Sequence, residues 1–89
     1  MEIEYRASFL KDLKNLKETP VYGKVYELTF VTLLEIPNSR DILNIKALKG
    51  YDDRCRIRVG DYRIGIEMSK INIEIICVLH RKEFYRYFP

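Results

Sequence analysis

The sequence predicts an α+β domain: an N-terminal strand and a helical hairpin packed on one face of an antiparallel β-meander, in the order β-α-α-β-β-β. Three observations carry this expectation. Apolar residues recur at helical spacing through residues 9–33. The run Arg54-Cys55-Arg56-Ile57-Arg58-Val59 then alternates strictly, as a half-buried strand does. Turn signals at Gly60-Asp61 and Ser69-Lys70 divide the remainder into strand-length pieces. A chain of 89 residues suits one domain, residues 1–89.

Each element has its own warrant. Ile3 and Tyr5, set among polar neighbours, suggest a short strand over residues 2–5. Phe9, Leu10, Leu13 and Leu16 form a helical stripe with lysines 11, 14 and 17 opposite, and Ser8 is a suitable N-cap for a helix over residues 8–17. Thr19-Pro20 reads as the next helix start, and Pro37 as the stop that follows it. Residues 37–53 read as a connection, pinned to the core by Ile42, Ile45 and Leu48. Gly60-Asp61 closes a two-residue hairpin. Tyr62 to Met68 forms the next strand, Ile71 to Leu79 the last, and a basic-aromatic tail runs from His80 to Pro89.

Composition narrows the function. Hydrophobic residues make up 47% and charged residues 33%, the balance of a globular protein. No apolar run approaches the about 20 residues of a membrane-spanning helix. The acidic start Met1-Glu2-Ile3-Glu4 lacks signal-peptide order, so a cytoplasmic location is expected. Cys55 and Cys77 form no metal-binding pair and read as small buried residues; neither a metal nor a cofactor is expected. Residues 1–53 carry eight Lys/Arg against nine Asp/Glu, whereas residues 54–89 carry eight against four. The positive excess therefore lies wholly in the C-terminal part and points to a polyanion or an acidic partner.

Strand parity turns this excess into a candidate site. Cys55, Ile57 and Val59 share one face, Arg54, Arg56 and Arg58 the other. The hairpin turn pairs Arg58 with Arg63, Arg56 with Gly65 and Arg54 with Glu67. A second two-residue turn would place Ile71, Ile73, Ile75, Cys77 and Leu79 on the apolar face. Asn72, Glu74, Ile76, Val78 and His80 would then join the arginines. Opposed like charges destabilise a hairpin, so Arg58 facing Arg63 is best explained by an anion. Gly65 would leave open space for a ligand backbone. Exposed strand arginines can also serve only solubility and edge protection; the combination with Arg63 and the tail favours a site. In the tail, cations interleave with aromatics, as suits RNA, and Phe84 and Phe88 can bury while Tyr85 and Tyr87 stay exposed.

These residues resemble a known family. The run Arg56-Ile57-Arg58-Val59-Gly60-Asp61-Tyr62-Arg63-Ile64, followed after a strand by Val78-Leu79-His80-Arg81-Lys82-Glu83-Phe84-Tyr85, is similar to the RelE/ParE toxins of type II toxin–antitoxin systems. Ile45 to Gly50 and Tyr5 to Leu16 extend the likeness over nearly the whole chain. The resemblance implies a ribosome-dependent mRNA endonuclease that needs no metal. It also implies a cognate antitoxin that neutralises the toxin, and binding of operator DNA by the pair.

The family's functional positions fall on Arg56, Arg58, Arg63, Arg81 and Tyr85. RelE itself has lysines where this chain has Arg56 and Arg58. Arginine holds phosphate well but is a poor proton-transfer group, so His80 or Tyr85 is expected to do the proton work. Arg54, Lys82, Arg86 and Tyr87 are expected to touch RNA. The alternatives are a ParE-like inhibitor of DNA gyrase and a non-toxic RNA-binding relative.

Overall fold

The computed structural model describes residues 1–69 and 72–89. Strand β1 (Glu2–Tyr5) leads into helix α1 (Ala7–Lys14). Helix α2 (Tyr22–Glu27) continues through a π-helical turn (Leu28–Thr32) into a short helix α3 (Leu33–Glu35). The strands β2 (Ile45–Ala47), β3 (Arg54–Val59), β4 (Tyr62–Met68) and β5 (Asn72–His80) follow, then helix α4 (Arg81–Tyr87). The described residues form a five-stranded sheet ordered β1-β5-β4-β3-β2. β1 lies parallel to β5 and the other neighbours are antiparallel.

The helical hairpin covers one face of this sheet, as expected. Phe9, Leu13, Val25 and Leu33 meet Ile57, Ile64, Ile66, Ile73, Ile75 and Val78 in one buried cluster. Ser8 is not the N-cap: Arg6 holds that place, with no capping side chain. Ser8 lies inside the helix and donates its hydroxyl to the Ile76 carbonyl at 2.5 Å. Thr29 is wholly buried at the π-helical turn, where its hydroxyl donates back to the Val25 carbonyl. Its own carbonyl accepts from the Tyr5 hydroxyl at 2.6 Å, which ties the hairpin to β1.

Two elements were not expected. β2 arises inside the connection, with Ile45 across from Ile57 and Ala47 across from Cys55. The tail folds into α4, which packs on the other face of the sheet. There Phe84 and Phe88 form a second buried cluster with Ile76 and Cys77, partly covered by Leu48 and Leu79. Both faces of the sheet are therefore covered at the β5 side, and only the β2–β3–β4 side of the arginine face is open.

The first hairpin has the expected register: Val59 pairs with Tyr62, Arg58 with Arg63, Arg56 with Gly65 and Arg54 with Glu67. The second pairing differs. Lys70 and Ile71 lie outside the described residues, and with them the expected Ser69-Lys70 turn. Further along, Ile66 pairs with Ile75 but Gly65 pairs with Cys77. Ile76 is an extra residue, a β-bulge that reverses parity beyond it. Cys77 and Leu79 consequently stand on the arginine face, across from Gly65 and Arg63, while Val78 and His80 stand on the helix face across from Ile64 and Tyr62.

Candidate functional site

The open part of the arginine face adjoins α4. It carries Arg56, Arg58 and Arg63, held by the register of β3 and β4. Arg63 Nη1 donates to the Gly60 and Tyr62 carbonyls at 2.8 and 3.0 Å, which bends its side chain toward the hairpin turn. Arg56 Nη1 donates to the Asn44 carbonyl at 3.0 Å, and the Arg58 backbone N–H donates to the same oxygen at 3.1 Å. The Arg58 side chain is exposed. Among the described residues, none of these three guanidinium groups faces a carboxylate within ion-pair distance.

The next row of the same face is the opposite. Arg54 pairs with Glu67 at 3.2 Å and approaches Asp53 at 4.0 Å, while Arg6 pairs with Glu74 at 2.8 Å. Glu67 and Glu74 stand across from one another in the sheet. One half of the face is thus electrically balanced, and Arg54, expected to touch RNA, belongs to that half. Where net positive charge remains, it is concentrated at Arg56, Arg58 and Arg63.

Helix α4 borders this open part. Its start is pinned where the Arg81 N–H donates to the Asp61 carbonyl at 2.7 Å, and Arg81 Nε lies 3.7 Å from Asp61 Oδ1. Phe84 and Phe88 are the inward stripe. Glu83 and Tyr87 flank it on the side of α1, where they line a cleft with Ser8 and Asp12. Helical periodicity therefore puts Arg81 and Tyr85 on the other flank, above β4 and β3. Tyr85 is 61% exposed and its ring stands edge-on to Phe84. Lys82 and Arg86 are exposed on the outer side of the helix.

Three expectations about the site are corrected here. His80 does not share the arginine face, because the bulge at Ile76 turns it to the helix side. There its ring meets the edge of Tyr62 at 5.3 Å, and its Nδ1 accepts the Lys82 N–H at 3.1 Å as the N-cap of α4. Gly65 does not open onto solvent. A Cβ there would stand 2.8 Å from Cys77 Sγ and 2.9 Å from the Phe88 ring, so the missing side chain makes room for α4 rather than for a ligand. Tyr87 lies on the α1 side of α4, away from the arginines.

The cysteines are free and buried, as read from their isolation. No group of three or more His, Cys, Asp or Glu that could hold a metal ion occurs among the described residues. No described helix is long and apolar enough to cross a membrane.

The family model for the ParE toxin of type II toxin–antitoxin systems matches residues 3–85. Toxin RelE3 of Methanocaldococcus jannaschii is 41% identical, and the alignment covers 100% of both chains. The chain belongs to the RelE/ParE superfamily of type II toxins. A solved RelB-RelE antitoxin-toxin complex from Methanococcus jannaschii contains a chain that superposes with a TM-score of 0.76 at 38% identity, covering 97% of this chain and 99% of that one. An archaeal RelE-RelB complex from Pyrococcus horikoshii matches in fold, with a TM-score of 0.68 at 23% identity over 93% of this chain and 97% of that one. The α+β architecture is that of RelE-like toxins.

Proposed function

We propose that this toxin is a metal-independent endoribonuclease that cuts mRNA on the ribosome, acts in the cytoplasm, and is neutralised by a cognate antitoxin whose complex with it binds operator DNA. One observation carries the nuclease reading. Three arginines share one open sheet face without a carboxylate partner among the described residues, beside the flank of α4 that bears Arg81 and Tyr85. Such a cluster is costly unless an anion fills it, and arginine's planar fork matches phosphate.

Cleavage would proceed by attack of the 2′-oxygen on the adjacent phosphorus as the bond to the 5′-oxygen breaks. The 2′-hydroxyl loses its proton to a base, and the departing 5′-oxygen gains one from an acid. Arg56, Arg58 and Arg63 would stabilise the charge that develops on the phosphate. Tyr85 is the proton-exchanging side chain on this flank of α4, and Arg81 supports it electrostatically. His80, on the opposite face, would act through the fold by capping α4. The antitoxin partner is supported by the solved relatives, which are toxin–antitoxin complexes.

Induction of the protein alone, followed by mapping of 5′ ends on translated messages, tests this reading. New ends within coding regions are expected, and Arg63→Ala should restore growth. The match to a ParE family model supports a second reading, inhibition of DNA gyrase through protein contacts. An SOS response with intact messages would establish that reading and exclude the nuclease.

A further inference from the structure

Lys46 lies on the arginine face and was not singled out by the sequence. Strand β2 pairs with β3 so that Lys46 stands directly across from Arg56. Directly opposed residues of an antiparallel pair project to the same face, with Cβ atoms about 4.5–5.5 Å apart. The neighbours of Lys46 fix that face independently. Ile45 packs into the core beneath the helical hairpin, and Leu48 packs against the cluster of Phe84 and Phe88 on the α4 side. Lys46 is exposed. No carboxylate among the described residues lies within ion-pair distance of it. Arg56 donates to the Asn44 carbonyl, just ahead of β2, so its guanidinium lies over the β2–β3 seam that Lys46 flanks.

We propose that Lys46 is a further cation of the RNA site, in addition to Arg81, holding the phosphate next to the one engaged by Arg56, Arg58 and Arg63. The inference rests on the RNA reading above and deepens it. A lysine on an edge strand can serve solely to discourage strand addition. That role does not depend on which face the side chain takes. Lys46 instead sits where it adds a fourth positive charge to three that already repel one another. The cationic surface then runs from α4 to the edge strand β2, with cations on β2, β3 and β4. A phosphate-binding ammonium acts as a point charge, so Lys46 sets affinity and register rather than the chemical step.

The test is binding of a fluorescent single-stranded RNA oligonucleotide, with 2′-O-methyl groups to prevent cleavage, across a range of salt concentrations. Lys46→Gln is expected to weaken binding several-fold and to make the slope of log affinity against log salt shallower by about 0.7, the loss of one phosphate contact. Lys46→Arg should restore both, and the nearby Lys49→Gln should leave both unchanged. Binding by Lys46→Gln that equals wild type in affinity and slope would overturn the proposal, provided Arg63→Ala binds weakly in the same assay. Failure of Lys46→Arg to restore binding would overturn it too, because a phosphate contact tolerates either cation. Absence of salt-dependent binding by the wild type would remove the RNA reading itself, and Lys46 with it.

Discussion

Arg54 and Arg58 lie four residues apart on one strand face, yet their surroundings give them opposite predicted roles. Arg54 is neutralised by Glu67, whereas Arg58 faces Arg63. Arg58→Ala should abolish toxicity while leaving thermal stability unchanged or raising it, since an opposed like-charge pair costs about 0.2–1 kcal/mol. Arg54→Ala should show the reverse, with toxicity kept and stability lowered by no more than about 1 kcal/mol, the worth of a partly exposed ion pair. Growth assays and thermal melts of the two variants separate these outcomes. Asp12 offers a pH-dependent check. Its carboxylate accepts the Val78 N–H at 3.2 Å where β5 has run past β1, and burial raises its pKa, partly offset by that hydrogen bond. A carboxyl raised in the folded state binds its proton more tightly there than in the unfolded chain. Its contribution to stability is therefore greatest below the unfolded value of about 3.9 and falls as pH rises through the folded value. Asp12→Asn keeps an acceptor for Val78 and should flatten that part of the stability–pH curve. A variant curve parallel to wild type would refute the assignment.

The β4–β5 pairing and α4 decide where the functional groups stand. The parity of β3 and β4 was legible because polar and apolar residues alternate there. Residues 75–79, Ile-Ile-Cys-Val-Leu, are all apolar and carry no such alternation, so the bulge at Ile76 left no mark in the pattern. That one extra residue moved His80 off the arginine face and put Cys77 beneath α4. Gly65 is the matching position on β4: its missing Cβ admits Phe88. Gly65→Ala should force the ring outward at an overpacking cost of about 1–3 kcal/mol, lower the melting temperature, and reduce toxicity by loosening the helix that carries Tyr85. Unchanged melting would mean that α4 is not seated there. Burial pushes the Cys77 thiol up to about 11, and a neutral thiol is a poor nucleophile. Alkylation of native protein at pH 8 should therefore be slow at Cys77 and accelerate on unfolding. Fast labelling of the native state would show that α4 opens readily.

At the scale of the molecule, the positive charges among the described residues of 54–89 resolve into one open cluster and several neutralised or outward-facing groups. This separation matters more than the net charge of +3. If single-stranded RNA occupies this cluster, each phosphate contact should contribute about −0.7 to the slope of log affinity against log salt. Replacing Arg56, Arg58 and Arg63 together should remove most of that slope. Replacing Lys82 and Arg86, on the outer side of α4, should remove little. A uniform loss across all five would point to diffuse attraction instead of a site.

The class of fold, the first hairpin and the arginine cluster could be read from the residues because each depends on local pattern: helical spacing, strict alternation and a two-residue turn. The resemblance placed the chain among type II toxins on those same residues. The remaining features depend on contacts between distant segments. Lys46 joins the site because β2 pairs with β3, and Arg81 and Tyr85 join it because α4 folds back onto Gly65. His80 leaves it because β5 accommodates one more residue than β4, whereas Arg54 leaves it through Glu67, a neighbour that the hairpin turn already set across from it. Charges are written in the sequence, but their neutralisation and their face are settled by pairing register, which is set only when the strands and α4 pack together.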